Sequence, residues 1–263
     1  MKEIKSADNA RFRTLLRLNE SARERRKSGY SLLDGIHLVA AYREHCGAPE
    51  EIIVSRSGLA DPQIAALLPR LPEPAVLLAD GLFRQLSSVA TPTGIIALVK
   101  TPRPAVPPDE AVSSLLLEDI QDPGNLGSIL RSAAAAGVEQ VILSRGSVHA
   151  WSPRVLRAGM GAHFGLRIHE SADLLKAIAA FHGRVVATRQ GAPRTVFDVD
   201  LTGTVALLFG NEGSGLSASS LGAAHEIVSI PMPGKSESLN VAAAAAVCLF
   251  ERVRQQRTRG EDQ

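Results

Sequence analysis

Cysteine is almost missing from this chain: Cys46 and Cys248, far apart, are the only two in 263 residues. Two such thiols cannot frame a disulfide scaffold. Without a C-x-x-C pair, and with no H-E-x-x-H spacing among the seven histidines, no metal is expected. Aromatic residues make up only 4%, which argues against broad platforms for stacking single-stranded bases. No run approaches the roughly 18 apolar residues that a membrane span needs. The opening MKEIKSADNARFR lacks the apolar core of a secretory signal. Net charge is +2, so bulk charge identifies no partner. The expectation is a soluble, cytoplasmic chain with no membrane association.

The hydrophobic share of 45% supports packed cores, and the length suffices for two domains. Charge is unevenly spread. Residues 1–27 hold nine Lys or Arg against four acids, a local excess that suits a basic arm facing phosphate. Within it Arg23, Arg25, Arg26 and Lys27 read either as a solvated run or as an RNA contact. The stretch TPRPAVPPDEAV (101–112) carries four prolines, which block helix and central strand alike and mark a linker. It divides a domain over 1–100 from one over 113–263.

Apolar periodicity gives the first domain a helix with Phe12, Leu15, Leu16 and Leu18 inward and Arg11, Arg13 and Arg17 outward. Strands are expected at 30–33, 51–54, 75–78 and 94–99. Helices are expected after Asp34-Gly35, near 62–69 and near 80–88. The second domain alternates strands at 114–118, 141–144, 184–188, 205–209 and 227–230 with helices at 126–136, 152–160, 171–182 and 238–256. Apolar strands between helices predict an α/β fold with a mostly parallel sheet covered on both faces. Ligands in such sheets bind at the carboxyl ends of the strands.

Three segments lie at those ends. In LLLEDIQDPGNLGSILRSAAAAG (115–137), Asn125 reads as an N-cap or a site residue. Arg131 stands among small and apolar neighbours, and its guanidinium calls for an anion. In ALLFGNEGSGLS (206–217), three glycines in six positions permit close backbone approach. The spacing is neither G-x-G-x-x-G nor a P-loop, so a dinucleotide-dependent oxidoreductase is not supported. In IPMPGKSESLNVAAAAAVCLFE (230–251), Ser238 is a competent N-cap, and Ala242 to Ala246 predict close approach by another element.

Taken together, the N-L-G with a downstream Arg, the G-N-E-G-x-G and the I-P-M-x-G followed by S-L-N-V-A resemble the three motifs of SpoU-like RNA ribose 2′-O-methyltransferases of the SPOUT superfamily. SGYSLLDGIHLV (28–39) looks like the opening of that family's L30-like substrate-binding domain, with Asp34 where Glu is usual. The resemblance implies an S-adenosylmethionine-dependent enzyme whose catalytic domain holds a deep trefoil knot and which works as a homodimer. It implies donor contacts from Gly210, Ile230, Met232 and Leu239. It points to Arg131 at the ribose hydroxyl, with Asn125, Glu212, Ser238 and Asn240 as positioning residues and Glu212 as one candidate partner for Arg131. Structured RNA is the implied substrate, ribosomal RNA favoured over tRNA, with Arg157 as a further RNA contact or a surface ion pair. A non-catalytic RNA-binding assembly factor is the rival reading; intact Asn125, Arg131, Glu212, Ser238 and Asn240 weigh against it.

Overall fold

The computed structural model describes residues 2–70 and 75–261. The chain forms two compact units, Met1–Pro102 with Trp151–Phe164 and Arg103–Ala150 with Gly165–Gln263.

The first unit runs β1 (Lys2–Ile4), α1 (Ala10–Glu20), α2 (Ala22–Ser28), β2 (Tyr30–Asp34), α3 (Ile36–Cys46), β3 (Glu51–Ser55), α4 (Pro62–Leu67), β4 (Ala75–Leu78), α5 (Asp80–Leu86) and β5 (Ile95–Lys100). Its sheet is mixed, in the order β1-β4-β3-β5-β2. Asn9 caps α1 by accepting from the amides of Arg11 and Phe12, and the helix buries Phe12, Leu15 and Leu18 as the period requires. Those side chains join Ile53, Phe83 and Leu98 in one core.

The basic stretch is two helices rather than one arm. Ser21 ends α1, and its hydroxyl accepts from the Glu24 amide to start α2. That geometry turns Arg25 inward, where it is 4% exposed. Its guanidinium donates to the carbonyls of Leu18 at 2.6 Å and Asn19 at 2.9 Å, groups that the end of α1 leaves open. Arg25 is therefore no RNA contact; a helix end claims it, while Arg23, Arg26 and Lys27 stay on the surface. Arg25→Ala strips a buried donor from two carbonyls and should cost about 1–3 kcal/mol of stability. Denaturant unfolding checks this, and the salt dependence of RNA binding should not change.

The second unit begins with β6 (Ser114–Leu117), α6 (Pro123–Ala135) and β7 (Gln140–Ser144). The chain then contributes α7 (Pro153–Gly159) to the first unit, where it packs against β2. Tyr42 meets Phe164 edge to face at 5.4 Å there. The sequence places this helix within 113–263. Its period shows that Val155 and Leu156 are buried but cannot show which sheet buries them. The second unit continues with β8 (Arg167–Ala172), α8 (Leu174–Ala180), β9 (Arg184–Thr188), β10 (Arg194–Thr195), β11 (Val205–Phe209), α9 (Ala218–Ala223), β12 (Glu226–Ser229) and α10 (Val241–Glu261).

Its seven strands are all parallel, in the order β10-β12-β9-β11-β6-β7-β8. From β6 the chain steps outward to β7 and β8, then returns, and β11 fills the space between β9 and β6. The crevice at the strand ends lies at such a reversal of direction. Strands β1, β8 and β10 are not legible in the apolar pattern: β8 (RIHESA) is an edge strand with mixed polarity, and β1 and β10 are three and two residues long. Residues 101–112 form neither helix nor strand. The alanine faces of α6 and α10 pack on each other, with Ala133 and Ala245 fully buried. Arg252, 9% exposed, ties α10 to the Ser113 hydroxyl at 2.8 Å and the Gly203 carbonyl at 3.2 Å. Both cysteines are free thiols, and no helix among the described residues is long and apolar enough to cross a membrane.

Candidate active site

The carboxyl ends of β6, β9, β11 and β12 carry the chemistry-bearing residues. β6 is followed by Glu118 and Asp119, the latter at φ 53, a left-handed conformation that costs a non-glycine residue energy. Its carboxylate accepts from the Ser144 hydroxyl at 2.5 Å. A β-carbon on Gly146 would overlap that carboxylate, which would have to leave its place on Ser144. α6 then starts at Pro123, and its N-cap is Asp122, which accepts from the Asn125 amide at 2.8 Å. Asn125 is not the cap, and its side chain is released for the site.

The loop after β11 is pinned at both ends by β6. The Asn211 amide donates to the Asp119 carbonyl at 2.8 Å, and its oxygen accepts from Gly213 and Ser214. Asn211 and Gly215 pair as a tight bridge. At the far end Glu118 accepts from the amide and hydroxyl of Ser217 and from Ser220. Gly210 packs so closely on the Gly215 carbonyl and the Leu216 amide that a β-carbon would overlap both.

Glu212 accepts from the amides of Gln121 at 3.3 Å and Asp122 at 3.2 Å, and from the Asn125 side chain at 3.1 Å. Asn125 in turn accepts from Asn240 at 2.8 Å, whose oxygen caps α10 at the Ala242 amide. One chain of hydrogen bonds thus joins all three motifs. Ser238 is not the cap of α10; Asn240 is. Glu212 does not pair with Arg131 either. Arg131 is exposed on α6 and makes no hydrogen bond or ion pair among the described residues, which leaves its guanidinium available.

Partial burial pushes the Glu212 carboxyl up, but its donors outweigh this, and it titrates below the ordinary carboxylate value. A lowered folded-state value means that the ionised network contributes stability above the unfolded value and loses it as pH falls through the folded one. Acid titration followed by NMR of the Asn125 side-chain amide should show that transition, and Glu212→Gln should abolish it.

Beside this network lies a pocket of about 130 Å³. Ile230, Met232, Ser238 and Leu239 line it, so four predicted residues converge from two sides of one loop. Gly210 does not line it; it shapes the neighbouring loop. Thr188, Arg189 and Gln190, at the end of β9, also line the pocket, and Gln190 donates to the Glu237 carbonyl at 2.6 Å. Sequence reasoning missed these three, as it missed Glu118, Asp119 and Asn211. The available signal was position: β9 adjoins β11 and β12, so its carboxyl end opens on the same crevice. Among the described residues no three His, Cys, Asp or Glu side chains converge as a metal site.

Comparison with known proteins agrees with this geometry. The family model for the SpoU rRNA methylases matches residues 113–250. An uncharacterised tRNA/rRNA methyltransferase of Synechocystis is 33% identical over 96% of this chain and 94% of its own. The 23S rRNA (guanosine(2553)-2′-O)-methyltransferase RlmP of Bacillus subtilis is 31% identical over 95% of this chain and 98% of its own. The crystal structure of the SpoU methyltransferase AviRb from Streptomyces viridochromogenes, in complex with the cofactor AdoMet, superposes with a TM-score of 0.85 at 29% identity, covering 95% of this chain and 98% of that one. With the motifs joined at one strand-end crevice and similarity extending through both units, the chain belongs to the SpoU rRNA methylase family.

Proposed function

We propose that the chain transfers a methyl group from S-adenosylmethionine to a ribose 2′-hydroxyl of structured RNA, ribosomal RNA in the first instance. The observation that carries this reading is the continuous link Glu212–Asn125–Asn240 beside a pocket lined by Ile230, Met232 and Leu239. The lining suits the adenine end of the donor: Val228, Ile230, Met232 and Leu239 offer apolar walls to a flat ring, and strand-end and loop backbone supplies polar groups for its edge. The donor brings an electrophilic methyl carbon on a sulfonium; the chain must align the hydroxyl. Arg131, with no competing partner, bridges an RNA phosphate and the hydroxyl. Its basicity suits charge stabilisation, since a group with a pKa above about 12 is a poor proton acceptor.

Several parts of this reading rest on the family. The segment around the pocket is threaded as a deep trefoil knot, and two copies associate as a homodimer in the cytoplasm. Residues 1–100 act as an L30-like RNA-binding domain, with Arg23, Arg26 and Lys27 supplying affinity through phosphate charge.

The test is calorimetric titration with S-adenosylmethionine and S-adenosylhomocysteine, followed by labelled-methyl transfer to deproteinised bacterial rRNA and to tRNA. Donor binding with label in rRNA, mapped to a 2′-O-methyl, supports the proposal. Label in tRNA alone redirects the substrate. No donor binding, with or without RNA, overturns it.

A further inference from the structure

The first unit holds a second cavity, of about 250 Å³, that the reaction does not use. His37, Gln63, Thr91 and Thr93 line it, all exposed, and none makes a side-chain hydrogen bond among the described residues. Arg157 of α7 and Met160, which follows it, also line the cavity. Arg157 is exposed and unpaired among the described residues, so it is not the surface ion pair that its sequence setting allowed.

Met160 is the telling residue. It is 52% exposed, and it ends α7 in the left-handed region, at φ 49, with its amide on the Leu156 and Arg157 carbonyls. That position favours glycine. Met160 thus combines a left-handed backbone with a half-exposed, polarisable side chain at the cavity. Asp34, which also lines the cavity, accepts from Ser87 and Ser88 with one carboxylate oxygen and leaves the other buried without a partner. A carboxylate in the wall disfavours a bare phosphate.

From this arrangement we infer that the cavity receives one unpaired nucleotide of the RNA substrate. The inference rests on the RNA reading above. Arg157 takes the phosphate, the Met160 thioether lies against the base, and the free hydroxyls and amide read its edge. Sequence-selective RNA recognition works on such splayed bases. Here a polarisable methionine does the work of the aromatic side chains that the chain largely lacks, since sulfur packs well on ring faces and edges.

The test pairs Met160→Gly with Arg157→Ala. Glycine relieves the left-handed strain, so Met160→Gly should fold with an equal or higher thermal midpoint yet bind deproteinised rRNA about 5- to 100-fold more weakly. Arg157→Ala should weaken binding similarly and lower the salt slope by about one ion. Affinity for S-adenosylhomocysteine should stay unchanged in both. Wild-type rRNA affinity in both variants overturns the cavity as a nucleotide site, and so does a wild-type protein that binds no RNA. A wild-type protein that binds rRNA but transfers no methyl group overturns only the functional reading.

Discussion

Replacing Arg131 with alanine should lower methyl transfer by about 10²- to 10⁴-fold, the range that one group acting at the reacting atoms typically supplies. Donor affinity and thermal stability should hold, because the side chain is exposed on α6 and makes no hydrogen bond or ion pair among the described residues. That freedom is informative. Glu212, the partner that the family resemblance suggested, is already committed to two backbone amides and to Asn125. The Arg131 guanidinium is therefore available to an anion outside the chain, as the proposed role requires. Labelled-methyl transfer under saturating donor, with calorimetry for S-adenosylhomocysteine, separates the two effects. Activity within threefold of wild type would remove Arg131 from the chemistry.

Gly210→Ala should act through the opposite route, by destroying the pocket's frame. A β-carbon at this position meets backbone, the Gly215 carbonyl and the Leu216 amide, and neither can swing aside as a side-chain tip can. Relief requires the Asn211–Gly215 bridge to open, and with it the anchor of Asn211 on the Asp119 carbonyl. Overpacking of this kind costs about 1–3 kcal/mol or more. Because the same loop carries Glu212, the donor network and the pocket beside it should loosen together. Donor affinity is expected to fall about 10- to 150-fold, alongside a lower thermal midpoint. A variant that unfolds at the wild-type temperature and binds the donor normally would show that the close approach of Gly210 to Gly215 is unimportant.

Particular elements show how much was readable beforehand. Strands β4, β9 and β11 fall where apolar runs place them, since a strand buried on both faces leaves a continuous signal. The helix starts were less legible: Asp122 and Asn240 do the capping expected of Asn125 and Ser238. Several Asp, Asn and Ser residues crowd each turn, and only backbone geometry chooses among them. Arg25 looked like its neighbours in a basic run. The break at Ser21, the one residue between α1 and α2, buried it, and no periodicity within a seven-residue helix announces that.

The sequence by itself determined the alternation of strands and helices, the three motifs and, through their resemblance, the family and the residues to examine. These are local properties: apolar period, glycine spacing and residue type in order. The tertiary structure decided which of those residues meet. It joined Asn125, Glu212 and Asn240 across more than a hundred positions of chain, left Arg131 unpaired among the described residues, and brought Thr188, Arg189 and Gln190 to the pocket. It also assigned α7 to the other unit and so placed Arg157 and Met160 in the lining of a cavity. The physical reason is the same in each case. A side chain's partner is set by strand order and by which sheet buries a helix, and both are fixed by packing over the whole chain rather than by any window of it.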